Sequence, residues 1–158
     1  MRYYLGIDPG KKGSYSVIDE KGKITILFRM PILQLKKPEI DTSVVIANFR
    51  NIQREYGNPY TIIEKAQAMP GQGVTSMFSY GMGYGLLIGI LTTLGIPFAE
   101  VHPRTWTKDL FKGISGEGKD RCYASARQIF PEWQPKYKYE RDWADSLLIA
   151  EYGRRLHA

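Results

Sequence analysis

The sequence opens with the stretch Tyr3-Tyr4-Leu5-Gly6-Ile7-Asp8-Pro9-Gly10, an apolar run that ends in an aspartate directly before a Pro-Gly turn. Two more β-prone stretches follow at close spacing, Ser14 to Asp19 and Lys23 to Arg29. Such close spacing predicts three antiparallel strands joined by short turns. Because Asp8 ends its strand, we expect its side chain to project from the sheet edge that open α/β sheets use for ligands.

The rest of the chain alternates between helical and strand patterns. The predicted strands are Tyr60 to Glu64 and Phe98 to His102, and the predicted helices run from Asp41-Thr42-Ser43 to Gly57, between Gly73 and Gly95, from Trp106 to Phe111, from Lys119 to Phe130 and from Glu140 to Leu156. Pro131 to Tyr139 is a proline- and aromatic-rich connector. This order predicts an α/β fold with a mixed five-stranded sheet, its first three strands antiparallel, and helices on both faces.

Size, charge and cysteine content narrow the class of protein. The length of 158 residues matches a single domain over 1–158 that buries a core without disulfides. Twenty-two Lys and Arg against sixteen Asp and Glu give a net charge of +6, which favours a polyanionic partner such as nucleic acid. The single cysteine, Cys122, excludes a disulfide framework and a CxxC zinc site, and we interpret it as a core thiol.

One segment is apolar enough to raise the question of a membrane. No charged residue occurs from Val74 to Ala99, a length that would span a bilayer. The segment contains five glycines and Pro97, so we expect a buried core helix and no membrane insertion. Met1 leads directly into the first strand without a signal-peptide pattern. We therefore expect a cytoplasmic protein.

Four carboxylates are candidates for a shared site: Asp8, Glu64, Asp142 and Asp145. Glu64 ends an apolar strand as Asp8 does, and neighbouring strands would place the two side chains close together. Asp142 and Asp145 are three residues apart, hence on one face of a helix. Each residue also has an ordinary structural interpretation, as a turn, strand-end or helix-cap residue. Their spacing alone indicates no more than a metal-dependent enzyme on an α/β sheet.

Metal binding would explain why four acids converge. Without a cation they would repel one another and raise their own pKa values. Ligand sets rich in oxygen favour magnesium or manganese over zinc. Two such ions about 4 Å apart can activate a water and stabilise the leaving 3′ oxygen in phosphodiester hydrolysis.

Four stretches, taken in order, resemble a known family. They are Gly6-Ile7-Asp8-Pro9-Gly10, Ile63-Glu64 followed by Met69-Pro70-Gly71-Gln72-Gly73, Val101-His102-Pro103-Arg104-Thr105-Trp106-Thr107-Lys108, and Asp142-Trp143-Ala144-Asp145-Ser146-Leu147-Leu148-Ile149-Ala150. Together the chain resembles the RuvC-type Holliday junction resolvases of the RNase H-like superfamily, particularly their bacteriophage-borne branch. The resemblance covers nearly the whole chain.

The resemblance implies a homodimeric, Mg²⁺-dependent endonuclease that nicks two strands of a four-way DNA junction symmetrically in a bacterial host. Asp8, Glu64, Asp142 and Asp145 match the residues that hold two Mg²⁺ ions, which Mn²⁺ can replace, and no small-molecule cofactor is expected. Lys108 and Lys119 fall where the family carries basic residues that support catalysis. Their expected role is to hold the scissile phosphate or to steady the developing charge.

The chain departs from the family at two places. Trp143 stands where members of the phage branch often have a small residue, and the segment after Glu64 differs from that of cellular resolvases, in which an aromatic residue probes the junction centre. Met69, Phe78 or Tyr80 would take that place here. The other expected DNA contacts are the basic residues Lys11, Lys12, Lys112 and Arg141, within a rim that also includes Lys136, Lys138, Trp133, Tyr137 and Tyr139.

The glycines of the uncharged helix, Gly81, Gly83, Gly85 and Gly89, permit close approach of another backbone. In the family this helix lies near the dimer interface, so we expect its small-residue face to pack there or against the sheet.

Other functions share some of these features. The opening stretch also resembles the phosphate loop of actin-like ATPases, but those folds need two such domains and offer no place for Glu64 or the Asp142–Asp145 pair. An RNase H-type nuclease acting on RNA–DNA hybrids, or a less selective flap nuclease, is a closer rival. A junction-binding protein that no longer cuts is a further alternative, against which the intact set of carboxylates argues.

Overall fold

Five strands form one mixed sheet in the computed structural model, which describes residues 1–158. These five are β1 (Tyr3–Asp8), β2 (Ser14–Asp19), β3 (Ile24–Arg29), β6 (Tyr60–Glu64) and β7 (Phe98–Val101); the short β4 (Ile32–Leu33) and β5 (Glu39–Ile40) pair separately with each other. The sheet order is β3-β2-β1-β6-β7. β1, β2 and β3 pair antiparallel, whereas β6 lies parallel to β1 and β7 parallel to β6. The predicted sheet is confirmed.

Helices cover both faces of this sheet, as predicted. They are α1 (Thr42–Tyr56), α2 (Val74–Thr93), α3 (Pro103–Leu110), α4 (Gly118–Ile129), a 3-10 helix (Lys138–Trp143) and α5 (Ala144–Leu156). One core joins α3, α4 and α5 to the sheet through residues such as Trp106, Leu147 and Ile62. The other joins α1 and α2 to it through residues such as Phe49, Leu87 and Ile7. Because β1 contributes to both cores, it is the central strand of the fold.

Helix α5 lies unusually close to β1. A methyl group at Gly6 would collide with the carbonyl oxygen of Ser146 and the backbone nitrogen of Ala150. Only glycine at this strand position therefore lets the helix backbone touch the strand backbone. The contact sets the height of the first turn of α5 above the sheet.

Two local features differ from the prediction. The sequence patterns predict no strand over residues 31–40, which contain the two-stranded hairpin of β4 and β5; its four paired residues are too few to show an alternating pattern. The helix expected from Glu140 begins as a 3-10 helix, with backbone bonds three residues apart from Glu140 to Tyr137 and from Ala144 to Arg141. The Glu140 side chain accepts the Tyr137 backbone N–H at 3.0 Å, which holds this tighter turn.

Helix α2 is less buried than the sequence predicts. Its inner face packs on the sheet through Leu87, Ile90 and Leu91, but Phe78, Met82 and Leu86 on the outer face are exposed. The expectation of a buried core helix thus holds for this inner face alone. Of the glycines expected to pack, Gly83 is buried against Ile40, whereas Gly81, Gly85 and Gly89 face open space, so their place in a dimer interface stays a prediction. By length and composition alone α2 could span a membrane, a test that core helices of soluble proteins also pass.

Candidate active site

Asp8 and Glu64 end two neighbouring parallel strands. In the register of β1 and β6, Ile7 pairs with Ile63, so the two acids are the next residues on each strand. Asp8 follows a buried strand and is fixed by a bond from the Gly10 backbone in the turn behind it. The shared sheet edge therefore carries both side chains, as the sequence predicts.

Asp145 reaches the same edge from the first turn of α5. The close packing at Gly6 holds this turn against β1. The Ser14 hydroxyl donates to the Ser146 hydroxyl at 2.6 Å, which ties β2 to the residue next to Asp145. The aspartate thus stands on a rigid support built from a strand, a helix and a buried hydrogen bond.

The electrostatics show that three of the acids lie close together. Burial, followed by the charges of Asp145 and Glu64, raises the pKa of Asp8 from 3.8 to about 8. Burial also raises the pKa of Glu64, and a hydrogen bond from Trp106 partly offsets this. Like charges thus meet at a site that water solvates poorly.

Lys119 is the cation of this cluster. Its Nζ lies 2.9 Å from Asp145 Oδ2. Burial opposes the charge of Lys119, but the pull of Asp145 outweighs it and raises the lysine pKa. Burial and the nearby charge of Asp145 also raise the pKa of the Cys122 thiol. Cys122 belongs to the core, as predicted, and its uncharged thiol lies near Asp145.

Asp142 stands apart from the other three acids. It lies in the 3-10 helix, about one turn before Asp145, and lines a cavity together with Lys119. Lys119 feels its charge, but Asp142 is absent from the charges that shift the pKa of Asp8 or Glu64. The electrostatics therefore group Asp8, Glu64 and Asp145 with Lys119, and Asp142 interacts with this group mainly through the lysine.

The donor set fits a hard divalent cation. As the side chains stand, no group of three or more acidic, histidine or cysteine residues is drawn together tightly enough to hold an ion. Asp145 Oδ1, however, is buried without any hydrogen-bond partner, and a single lysine bonds to the acids. A cation would satisfy the orphan oxygen and relieve the repulsion between the acids.

Lys108 has different surroundings from Lys119. It lines a basic cavity of about 400 Å³ on α3 with Arg104, Lys112 and Arg121, and that lining includes none of the four candidate carboxylates. Arg121 is tied to the carbonyls of Ile114 and Phe111, whereas the other three cations are exposed. A direct catalytic role for Lys108 stays a prediction, and its position suits a phosphate contact next to the site.

The candidates for DNA contact fall in three places. Tyr80 lies near the carboxylates. Burial is the main cause of its raised pKa, and the charges of Asp8 and Glu64 also contribute. Met69 and Phe78 are exposed before and within α2, while Lys11 and Lys12 occupy the turn after Asp8. Arg141 lies over the ring of Tyr123, 4.6 Å from its centroid, beside Asp142. Their roles stay predictions.

Trp106 is a site residue to which the sequence patterns assign no role. Its indole N–H donates to Glu64 Oε2 at 2.7 Å, and the side chain is 2% exposed. Trp106 therefore fixes one oxygen of the glutamate and leaves the other free. The available signal was a tryptophan in the short helix that follows the last strand of the sheet, but its partner is 42 residues away in sequence.

We predict that Asp8→Asn stabilises the metal-free protein at pH 8. The raised pKa means that the folded chain binds more protons than the unfolded chain between about pH 4 and 8, so stability falls as pH rises through this window. Removing the charge should add on the order of a few kcal/mol to the free energy of unfolding at pH 8, and little at pH 4. Urea denaturation in EDTA measures this.

The matched control is Asp109→Asn, which alters a half-exposed acid of α3 that pairs weakly with Lys112 at 3.7 Å. We expect it to change stability by less than about 0.5 kcal/mol at either pH. Equal effects of the two substitutions would contradict the strained acid cluster.

We also predict that Trp106→Phe weakens binding of Mn²⁺ about tenfold or more, because Glu64 loses the donor that orients it. The control is Trp133→Phe, since Trp133 is 7% exposed but bonds no carboxylate. Isothermal titration calorimetry compares the variants. Equal affinities in both would show that the indole N–H does not position Glu64.

Comparisons with known proteins fall into two groups. The chain is 34% identical over 97 residues to the chloroplastic Holliday junction resolvase MOC1 of Chlamydomonas reinhardtii; this covers 60% of the chain and 11% of that protein. It therefore spans about a tenth of the length of the curated relative that it matches. No protein-family model matches the chain.

Solved structures match over almost the full length. RuvC of T. thermophilus in complex with a Holliday junction substrate gives a TM-score of 0.68 at 16% identity, covering 96% of this chain and 92% of that one. Thermus thermophilus RuvC alone gives a TM-score of 0.65 at 16% identity, covering 98% and 96%. The sheet order, the helices on both faces and these similarities together show that the chain has the RuvC fold of the RNase H-like class.

Proposed function

We propose that this protein is a metal-dependent, structure-selective DNA endonuclease that resolves four-way junctions by paired nicks. The observation that carries the proposal is the convergence of Asp8, Glu64 and Asp145 at one sheet edge of a RuvC fold. The similarity to MOC1, a Holliday junction resolvase, supports the junction as substrate. The net charge of +6 suits a DNA partner.

Asp8, Glu64 and Asp145 would hold the metal, with Asp142 completing the set from the 3-10 helix. We propose Mg²⁺ as the physiological ion, two per site, with Mn²⁺ as a substitute, because every candidate ligand is a carboxylate oxygen. When bound, such ions activate a water and stabilise the leaving 3′ oxygen. The protein itself contributes no nucleophile.

Lys119 and Trp106 prepare the carboxylates for this role. Lys119 neutralises part of the acidic charge, and its half-exposed ammonium group can turn from Asp145 towards a phosphate once metal binds. Trp106 holds Glu64 with one oxygen free. Lys108, with Arg104 and Lys112, would contact the phosphates of the same strand from the neighbouring cavity.

DNA would approach the sheet edge between two flanks. Lys11 and Lys12 border Asp8 on one side, and Arg141 borders Asp142 on the other. Tyr80 lies near the carboxylates, and Met69 and Phe78 are exposed on the chain segment that precedes it. We propose that one of these three side chains enters the junction centre.

A homodimer would provide the two active sites that paired nicks require. The outer face of α2 places Phe78, Met82 and Leu86 in one exposed row. Beside that row run Gly81, Gly85 and Gly89, where an added methyl group would meet nothing within 4 Å. A ridge of large side chains beside a groove of glycines is self-complementary for a second copy of the helix.

The expected activity is Mg²⁺-dependent cutting of a synthetic four-way junction into nicked duplexes, abolished by EDTA and lowered at least a hundredfold by Asp8→Asn. Denaturing gels of end-labelled strands measure it. Linear duplex, a flap and an RNA–DNA hybrid serve as competing substrates. Preferred cutting of the hybrid would establish an RNase H-type enzyme, and equal cutting of linear duplex would remove junction selectivity.

The dimer predicts a mass of twice the chain at micromolar concentration by light scattering. Met82→Glu should yield monomers, because it buries a charge in the centre of the contact. The control is Leu35→Glu, which changes an apolar side chain of similar exposure, 54% against 51%, in the loop between β4 and β5. A monomeric wild-type protein would contradict the proposed interface.

A further inference from the structure

Two stacked tyrosines stand beside the candidate active site with most of their surface in solvent. The rings of Tyr137 and Tyr139 lie 5.5 Å apart and within 5° of parallel. Tyr137 is 59% exposed and Tyr139 is 51% exposed. Neither ring belongs to a buried core. The pair is therefore an ordered aromatic surface that contributes little to folding.

The surrounding residues hold this pair in place. Glu140 accepts the backbone N–H of Tyr137, and Trp143 meets Tyr139 edge to face at 6.1 Å. The guanidinium of Arg29 lies 5.5 Å from the centroid of Tyr139. Tyr137 stacks on one side with Tyr139 and meets no other ring or cation. Its second face is thus available to a flat ligand.

A cavity connects the pair to the catalytic residues. It has a volume of about 570 Å³ and is lined by Tyr137, Lys138, Tyr139, Arg141, Lys119, Asp120 and Asp142. Such a volume holds a ligand of nucleotide size. Asp142 and Lys119 form one side, and Lys119 bonds to Asp145 at 2.9 Å. A nucleotide attached to a phosphate at the carboxylates could place its base against the tyrosines.

We propose that Tyr137 and Tyr139, here named the tyrosine platform, bind an unpaired nucleobase of the cut strand next to the scissile phosphate. This inference rests on the proposed function and identifies a second contact of that site with DNA. It explains why two large aromatic rings are kept ordered at the surface while Lys138 and Arg141 beside them offer charges to the flanking phosphates.

The chemistry favours a base of DNA over other ligands. Every base has a flat face, and stacking on aromatic side chains gains stability without sequence readout. The cavity lining carries three cations, Lys119, Lys138 and Arg141, against the two acids Asp120 and Asp142. The net charge of the lining is therefore positive, and it would be more so with Asp142 bound to metal. A strand splayed at a branch point supplies both an unstacked base and the phosphates.

Cleavage kinetics provide the first test. The double substitution Tyr137→Ala with Tyr139→Ala should lower the rate of junction cutting about fivefold to a hundredfold, whereas Tyr137→Phe with Tyr139→Phe should stay within about twofold of the wild type. Tyr60→Ala is the control, because Tyr60 is an exposed tyrosine at the opposite end of β6. Equal rates in the Ala and Phe variants would overturn the platform.

Fluorescence of 2-aminopurine provides a second test that requires binding but no cutting. Junctions with this base at each position around the branch point are bound in Ca²⁺ by the wild type and by both double variants. A base that leaves the duplex becomes bright and is quenched again by stacking. We expect one position to be at least twofold brighter with the Ala variant than with the wild type or the Phe variant.

The two tests separate the platform from the proposed function. If junctions are cut and Asp8→Asn abolishes cutting, but no probe position distinguishes the Ala and Phe variants, the nuclease stands and the platform is wrong. If no junction is cut, the proposed function fails, and the fluorescence of the bound DNA still decides the platform. Unfolding curves of both double variants identify any loss of rate that comes from misfolding.

Discussion

The close contact between β1 and α5 is the constraint on which the site depends. Gly6 lets the helix backbone rest directly on the strand, and the Ser14–Ser146 bond ties the next strand to the same turn. Because Asp8 ends β1 and Asp145 starts α5, this contact brings together acids 137 positions apart in sequence. Any larger residue at Gly6 would lift α5 and widen the distance between the two carboxylates.

This arrangement is electrostatically unfavourable until a cation arrives. Burial and the charges of its neighbours raise the pKa of Asp8. Burial is also the main cause of the raised pKa of Glu64. Lys119 offsets only part of the negative charge. The acid cluster lowers the stability of the fold. The two cores packed against the central strand compensate for this loss. In the proposed function, the same cost would favour the binding of divalent metal and then of the phosphates of DNA.

The sheet and the convergence of Asp8, Glu64 and Asp145, three of the four acids expected, could be predicted because their signals are local or lie in ordered motifs. Asp8 and Glu64 each end an apolar strand, and parallel neighbours must share an edge. Side-chain partners distant in sequence could not be predicted. The bond from Trp106 to Glu64 and the pairing of Lys119, but not Lys108, with the acids depend on how α3 and α4 pack. The exposed face of α2 could not be predicted either, because an uncharged helix has the same composition whether the protein core buries one face or both.

The central claim is that Asp8, Glu64 and Asp145 hold divalent metal, and X-ray diffraction from crystals soaked in Mn²⁺ tests it most directly. We expect anomalous difference peaks in contact with oxygens of Asp8, Glu64 and Asp145, and the loss of those peaks in Asp8→Asn crystals. Peaks only at other surface acids, or an unchanged pattern in the Asp8→Asn protein, would contradict it.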